Sequence, residues 1–463
     1  MNIGTIIKII ITIIILLAFR ACSKSEFLDK KPQKSLLVPS TIEHLQALLD
    51  MDGIMNGLDG QGLTPHIGES ASDNVYVTDT DFRASMPSQM QNYYTWNESP
   101  YIGTRVLDWE YAYRAILSTN VVLAKIPEVQ VSEFQNDLKQ YLSAQAYFHQ
   151  AHQYYQLAQI FMTAYDKSKA AQLSGLPIRV EDDINERLTV SSMEETYAFI
   201  LERLKMSIPN LPTTNVYTHR PSKQAAYALL ARVYLQMGEY QYAKDYADSC
   251  LHIQGDLYDY NLISPSWGPF AKVGGILHPV HKEVIFNCNM LSDPYQGYST
   301  SYLFGLVDSN LYAQYEDNDL RKVVFFEKLT NGHRFVGSYA EQPAIHFSGL
   351  AVDEIYLIRA ECHIRLQKSD KCLEDLNFLR MHRYKKGTYE PLPLMSTEEL
   401  LNEVLMERRK QLLYRGIRWA DLKRLSIMGH ETPLSRVIDG SVYKPTSNLA
   451  NFMWEFPPEV HVN

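Results

Sequence analysis

The sequence predicts a mainly α-helical protein, a tetratricopeptide-repeat-like scaffold of stacked helix pairs interrupted by long irregular loops. Three observations predict it. Apolar and aromatic residues recur at helical spacing over long stretches. Two helix pairs repeat one pattern of small and large residues. Between the helical stretches lie two segments, about 53–103 and 257–349, where no period holds and Gly, Pro and Tyr are frequent.

From the N-terminus, Lys8 precedes an apolar run from Ile9 to Phe19, and Cys22 follows. The run is too short to span a bilayer but suits a signal-peptide core, so the protein is expected to be exported. Ala21-Cys22 is similar to the cleavage point of a bacterial lipoprotein signal, where the cysteine becomes lipidated and forms the new N-terminus. Phe19 and Arg20 depart from the Leu and small residue usual before it, and an ordinary secretory signal or uncleaved anchor is the other reading. The expected organisation is a signal peptide at 1–21, a tether at 22–39 and a single domain at 40–463.

After the tether, Ser40 with Glu43 reads as a capping box opening a helix through Leu45, Leu48 and Leu49. Trp109, Tyr113, Ile116, Asn120 and Leu123 form a helical stripe that Pro127 ends. A long helix is predicted from about Ser132 to Met162, with Tyr141, Phe148, Tyr155 and Phe161 crowding one side. Further helices are predicted at Met193–Ile208, Ser222–Met237, Tyr240–Ile253, Val352–Leu366, Lys371–His382 and Thr397–Tyr414. Strand-like pieces occur at Glu283–Asn287 and Val323–Leu329.

The repeats fall within about 109–254 and 352–414. Leu230, Ala231, Tyr234, Gly238, Ala243, Ala247 and Cys250 occupy the key positions of a tetratricopeptide repeat. Arg359, Ala360, His363, Lys368, Cys372, Leu376 and Leu379 occupy the same places in a second, where Lys368 and Cys372 replace the usual Gly and Ala. The pattern is steric: small residues let antiparallel helices approach, and larger ones fill the gap to the next pair.

Composition narrows the function. A net charge of -9 and no Lys/Arg-rich stripe argue against nucleic acid as a partner. Beyond Cys22, the cysteines Cys250, Cys288, Cys362 and Cys372 make no CxxC pair and no zinc spacing. No Gly-rich phosphate loop, nucleophile elbow or HExxH is present, so no catalytic residue, metal or cofactor is assigned and the chain reads as a non-enzyme. His149 and His152, three apart on a helix, lie among Tyr147, Phe148, Tyr154 and Tyr155 and read as packed or solvent-facing side chains rather than as metal ligands. Glu407, Arg408 and Arg409 with Arg418, Asp421 and Arg424 read as a structural salt-bridge network.

Several fragments, in order, resemble the SusD/RagB family of Bacteroidota. They are Phe27-Leu28-Asp29-Lys30-Lys31-Pro32, Trp109 to Asn120, Ser222-Lys223-Gln224-Ala225-Ala226 with Leu229 to Tyr234, and Leu357-Ile358-Arg359-Ala360-Glu361. Glu407-Arg408-Arg409, Arg418-Trp419-Ala420-Asp421-Leu422-Lys423-Arg424 and Phe456-Pro457-Pro458 complete the series. Ala420 stands where the family often has an aromatic residue, and Phe456-Pro457-Pro458 replaces a commoner Pro-Ile-Pro.

The resemblance implies a SusD-like fold and a surface lipoprotein anchored through Cys22 to the outer membrane. Its implied partner is a SusC-like TonB-dependent transporter, and its implied ligand a glycan or sometimes a peptide. It also implies that the loops form the ligand face while the repeats serve as scaffold towards the transporter. With 31 Tyr and 5 Trp in the chain, aromatic faces beside amides and carboxylates suit sugar rings, which present apolar C–H faces fringed by hydroxyls. The candidate ligand residues are Asp73, Asn74, Tyr76, Tyr93, Tyr94, Trp96 and Asn97 in the first loop. In the second they are Trp267, Tyr295, Tyr298 and Tyr302. Pinning the loop onto the helices is the competing role for Trp96. A structural or adhesive repeat protein without a small ligand is the alternative from another class.

Overall fold

Helix pairs run through the computed structural model in the order the periodicity predicts. It describes residues 39–460 except 60, 98–99, 104, 133–134, 264–281, 293–304, 341–344 and 459. Cys22, the tether and the stretch Phe27 to Pro32 lie outside the described residues.

The first described helix, Ile42–Leu49, corrects its predicted cap. Thr41, not Ser40, is the N-cap, its hydroxyl accepting the His44 N–H at 3.2 Å. Position N3 is therefore His44, and Glu43 falls one residue short of a capping box. Two capping boxes do form later, Ser192 with Glu195 and Ser396 with Glu399.

The helices Leu107–Lys125 and Asn136–Phe161 pack side by side. The second was expected to bury one side. Instead its C-terminal two-thirds is enclosed all round, with Ala144 to Ala146 and Phe148 to Phe161 buried. Its polar residues therefore need partners inside: Gln145 pairs with Gln46 at 2.9 Å and Gln150 donates to Asn120 at 2.6 Å. His149 and His152 are packed against Phe286. Burial pushes His149 down to about 3 and His152 well below the histidine range.

The repeat pair Lys223–Gln236 and Tyr240–Ile253 closes over Ala231, Ala243, Ala247 and Cys250, all fully buried. Its turn is a Schellman motif, with Gly238 at φ +72, Gly238 N–H on the Leu235 carbonyl and Glu239 N–H on Tyr234. The pair Val352–Arg365 and Ser369–Met381 repeats this with one correction. Gln367, not Lys368, is the counterpart of Gly238: it lies at φ +61, with Gln367 N–H on Ile364 and Lys368 N–H on His363.

The helix Thr397–Gln411 stops short of the predicted Tyr414, because the chain leaves the helix through Tyr414 and Gly416, both with positive φ. A further helix, Arg418–Ile427, was not among the predicted elements. It packs on the short helix Ile67–Ala71. A Cβ on Gly68 would lie 2.9 Å from the Trp419 Cβ, so only glycine permits that approach.

The irregular segments hold short elements. The first contains helices Ile67–Ala71, Asp79–Ala84 and Ser88–Tyr94. Strand Val284–Phe286 matches its predicted piece, whereas Val323–Leu329 divides into a helical turn, Arg321–Val324, and strand Phe326–Leu329. The named strands form two-stranded antiparallel ribbons, among them Val75–Tyr76 with Leu306–Val307, and Arg436–Ile438 with Ser441–Tyr443. Among the described residues, no helix is long and apolar enough to cross a membrane.

Candidate functional site

Behind the loop that follows Ile67–Ala71, the expected salt-bridge network takes shape. Arg408 bonds Asp421 at 2.7 Å, Arg424 bonds both Glu361 oxygens, and Arg321 pairs with Glu407. Arg380 lies within 3.9 Å of Glu407 as well, and these cations hold that buried carboxyl near 2 against the upward push of burial. The network also reaches the first loop. Arg418 grips Asp73 through Nε–Oδ1 at 2.7 Å and Nη2–Oδ2 at 2.8 Å. Arg409 bonds the Asp73 carbonyl at 2.7 Å and the Asn74 Oδ1 at 3.2 Å.

Asp73 is thereby fixed, with both carboxylate oxygens engaged and its side chain 16% exposed. Burial pushes its carboxyl up, but Arg418 and Arg409 outweigh that and hold it below the usual range. Asn74 donates to Glu69 at 2.9 Å. Burial lifts Glu69 to about 7, although Asn74 and the Gly416 N–H both oppose the lift.

The ribbon Val75–Tyr76 with Leu306–Val307 places Asp308 next to this loop, its N–H on the Asn74 carbonyl at 2.8 Å. From the other side, the hairpin Arg436–Tyr443 turns at Asp439 (φ +50) and Gly440 (φ +76). Arg436 donates to the carbonyls of Val75, Ser70 and Ser72 at 2.7, 3.1 and 2.9 Å. Its guanidinium lies 3.5 Å from the Tyr94 ring centroid and 4.8 Å from that of Trp96.

These elements enclose a cleft of about 440 Å³ with Asp73, Tyr76, Tyr94, Trp96, Asp308, Arg409 and Arg436 in its walls. A larger hollow of about 850 Å³ lies on the repeat side, beside Tyr227, His252 and Tyr356. None of the predicted ligand residues among the described ones lines it, and its Arg359 is engaged by Asp375 and Asp248. The smaller cleft is the candidate site because four predicted residues converge there from separate turns of the chain.

The remaining predicted residues are placed differently. Tyr93 is only 1% exposed, packed edge-on against Trp454, Tyr101 and His66, so its ring offers no surface. Asn74 is likewise buried behind the loop, where both ends of its amide are occupied. Tyr94 and Trp96 form the base of the cleft but are themselves buried. Trp96 takes the pinning role: its indole N–H donates to the Ala71 carbonyl at 3.0 Å. Asn97 is exposed, bonded to Asn92 and outside the cleft wall. Trp267, Tyr295, Tyr298 and Tyr302 lie outside the described residues.

Three wall residues were not assigned to a ligand from sequence. In the sequence Arg409 reads only as part of the salt-bridge network. Asp308 follows its strand by one residue and gave no signal. Arg436 was legible indirectly, since Asp439-Gly440 between two short β-branched runs is a hairpin signature. Among the described residues, no group of three or more His, Cys, Asp or Glu side chains is placed to hold a metal ion.

Two family models match the chain. Residues 26–235 match a SusD-like model described as starch-binding associating with outer membrane, and residues 352–457 match the SusD family. SusD-like protein P2 of Formosa agariphila is 21% identical over 371 residues, covering 69% of this chain and 71% of its own. A SusD superfamily protein from Bacteroides fragilis superposes with a TM-score of 0.71 at 19% identity, covering 91% of this chain and 97% of its own. A SusD-like carbohydrate binding protein from Bacteroides vulgatus gives 0.65 at 19% identity, covering 90% and 95%.

Proposed function

Because the chain belongs to the SusD family, we propose that it is a surface nutrient-binding subunit that holds an oligosaccharide in the Asp73–Arg436 cleft. It then passes the ligand to a SusC-like TonB-dependent transporter in the outer membrane, to which Cys22 anchors it through lipid. The observation that carries this reading is the convergence of Asp73, Tyr76, Tyr94 and Trp96 in one cleft of about 440 Å³. That volume suits one or two sugar rings, with a longer chain continuing into solvent. The carbohydrate-binding description of the Bacteroides vulgatus protein and the outer-membrane description of the matched model support the ligand class and the location.

Holding without chemistry fits the wall residues. Asp73 and Arg409 are engaged with each other, and Asp308 adds a wall carboxylate that can accept from a sugar hydroxyl. Tyr76, half-buried with its hydroxyl on the Asn331 carbonyl at 2.8 Å, is the wall aromatic best placed to lie against a ring face.

A glycan array with the wild type and Tyr76→Ala tests the reading. Glycan binding that drops about ten-fold or more in Tyr76→Ala supports it. Binding undiminished by that change would move the site elsewhere, and peptides bound in place of glycans would reassign the ligand. Radiolabelled palmitate, compared between wild type and Cys22→Ser, tests the anchor; equal label in both removes it.

A further inference from the structure

The charges around the cleft are not all paired. Arg409, Arg418 and Arg436 surround the loop from Ser70 to Tyr76, and the carboxylates facing them are Asp73 and Asp308. Asp73 is shared by two of the guanidiniums. Asp308 lies 3.8 Å from Arg409, and its Oδ1 is also taken by the Leu311 N–H at 2.8 Å. The third acid, Glu69, is buried behind the loop and lifted to about 7, so it carries only part of a charge at neutral pH.

Arg436 is the group left over. Among the described residues no carboxylate lies within ion-pairing distance of it; carbonyls and the Tyr94 and Trp96 rings surround it instead. It is 8% exposed, and its Nε is buried with no acceptor. A buried guanidinium without a counter-charge is costly, because carbonyl dipoles replace its hydration but not its countercharge. Arg409, also in the wall, leaves its Nη1 without an acceptor among the described residues. The cleft wall carries two guanidiniums and two carboxylates, but Arg436 is the one without an ion-pair partner among the described residues, in a chain whose net charge is -9.

Resting on the saccharide reading of this cleft, the geometry points to an acidic sugar as its ligand, one whose carboxylate lies against Arg409 in the field of Arg436. Arg409 supplies the direct donor. Arg436, sealed behind the Tyr94 ring, contributes through its charge, which a cleft with low-dielectric walls transmits better than open water does. Asp308 works against the anion and sets the limit on its affinity. The overall negative charge repels polyanions from the rest of the surface, so a preference for acidic ligands must arise locally.

Native affinity electrophoresis tests this with polygalacturonate, alginate and hyaluronan, each intact and after reduction of its carboxyl groups. At least one intact polymer is expected to retard the protein about ten-fold more strongly than its reduced form. Asp308→Asn retains the helix-capping acceptor but removes the opposing charge, so it should raise the ratio of intact to reduced-polymer binding about three- to five-fold. Arg409→Gln should abolish the preference. Equal retardation by intact and reduced polymers, or none by any intact polymer, overturns the proposal. If neutral glycans bind and Tyr76→Ala removes that binding, the cleft reading stands while the acidic ligand falls. If an acidic polymer binds regardless of Asp308→Asn, Arg409→Gln and Tyr76→Ala, the cleft reading itself falls.

Discussion

Arg418 and Asp73 meet across 345 residues of sequence through two parallel bonds of 2.7 and 2.8 Å. The pair ties the C-terminal helix to the loop that forms one wall of the cleft. Both side chains are largely buried, and without Arg418 the Asp73 carboxylate keeps only Arg409. Arg418→Ala is expected to cost about 3 kcal/mol, the lower end for a broken buried pair, in urea unfolding at pH 7. Arg418→Lys should recover only part, because an ammonium cannot reproduce the two-pronged contact. The sign with pH follows from Asp73, whose folded carboxyl is held below its ordinary value. Its contribution is present above about pH 3.9, the unfolded aspartate value, and is lost as pH falls through the lower folded value. The gap between wild type and Arg418→Ala should therefore narrow in acid; a gap that stays constant down to pH 2 would rule the pair out as its source.

Trp96 and Tyr76 separate stability from binding. Trp96 is 2% exposed, donates to Ala71 and lies beneath Arg436. Trp96→Ala is expected to cost roughly 3–5 kcal/mol through the cavity and the unpaired carbonyl it leaves. Tyr76→Ala, at a half-buried position, should cost no more than about 1 kcal/mol while weakening ligand binding about ten-fold. Thermal melts and titrations on the two variants would reverse this assignment if Trp96→Ala folded normally and lost only its ligand.

Glu69 gives the opposite pH signature to Asp73. Its folded carboxyl is raised to about 7 by burial, so the folded state binds a proton more tightly than the unfolded one. Stability should fall as pH rises from about 4.5 to 7, and linkage puts the loss on the order of 3 kcal/mol. Glu69→Gln removes the titration while keeping an acceptor for Asn74. Its stability should change little over that window where the wild type declines; parallel pH curves for the two proteins would refute the assignment.

The scaffold was legible because its signals are local. Helix Tyr240–Ile253 matches its predicted bounds, and the small residues Ala231, Ala243 and Ala247 announced the close helix pair. The candidate site was legible only in part. Residue types in the first loop named Asp73 and Tyr76, but exposure depends on what packs above a residue, and nothing near Tyr93 in sequence indicates Trp454. Arg436 and Asp308 reach the cleft through pairings with residues hundreds of positions away, which no local pattern encodes. Long-range partners also decided the network: Arg418 and Arg424 were recognised as paired, but not that Asp73 and Glu361 were among their partners.

The helix ends at Gly238, Gln367 and Trp96, like that at Gly429, use the same left-handed turn with different residues, and the difference predicts which can be improved. Gly238, Gln367 and Trp96 follow their helices at φ +72, +61 and +56, and each turn carries both Schellman bonds. A side chain in this conformation costs about 1 kcal/mol, because its Cβ crowds the following carbonyl. At Trp96 the buried indole compensates. Gln367 is exposed and, among the described residues, its side chain makes no hydrogen bond that would offset the strain. Gln367→Gly is expected to stabilise the protein by roughly 0.5–1 kcal/mol, and Gly238→Ala to destabilise it by a similar amount. Open space surrounds Gly238, so a Cβ there would meet no neighbour and the cost would come from backbone conformation alone. Urea midpoints of the two variants should therefore move in opposite directions, and a downward shift for Gln367→Gly would mean that the lost chain entropy outweighs the relieved strain.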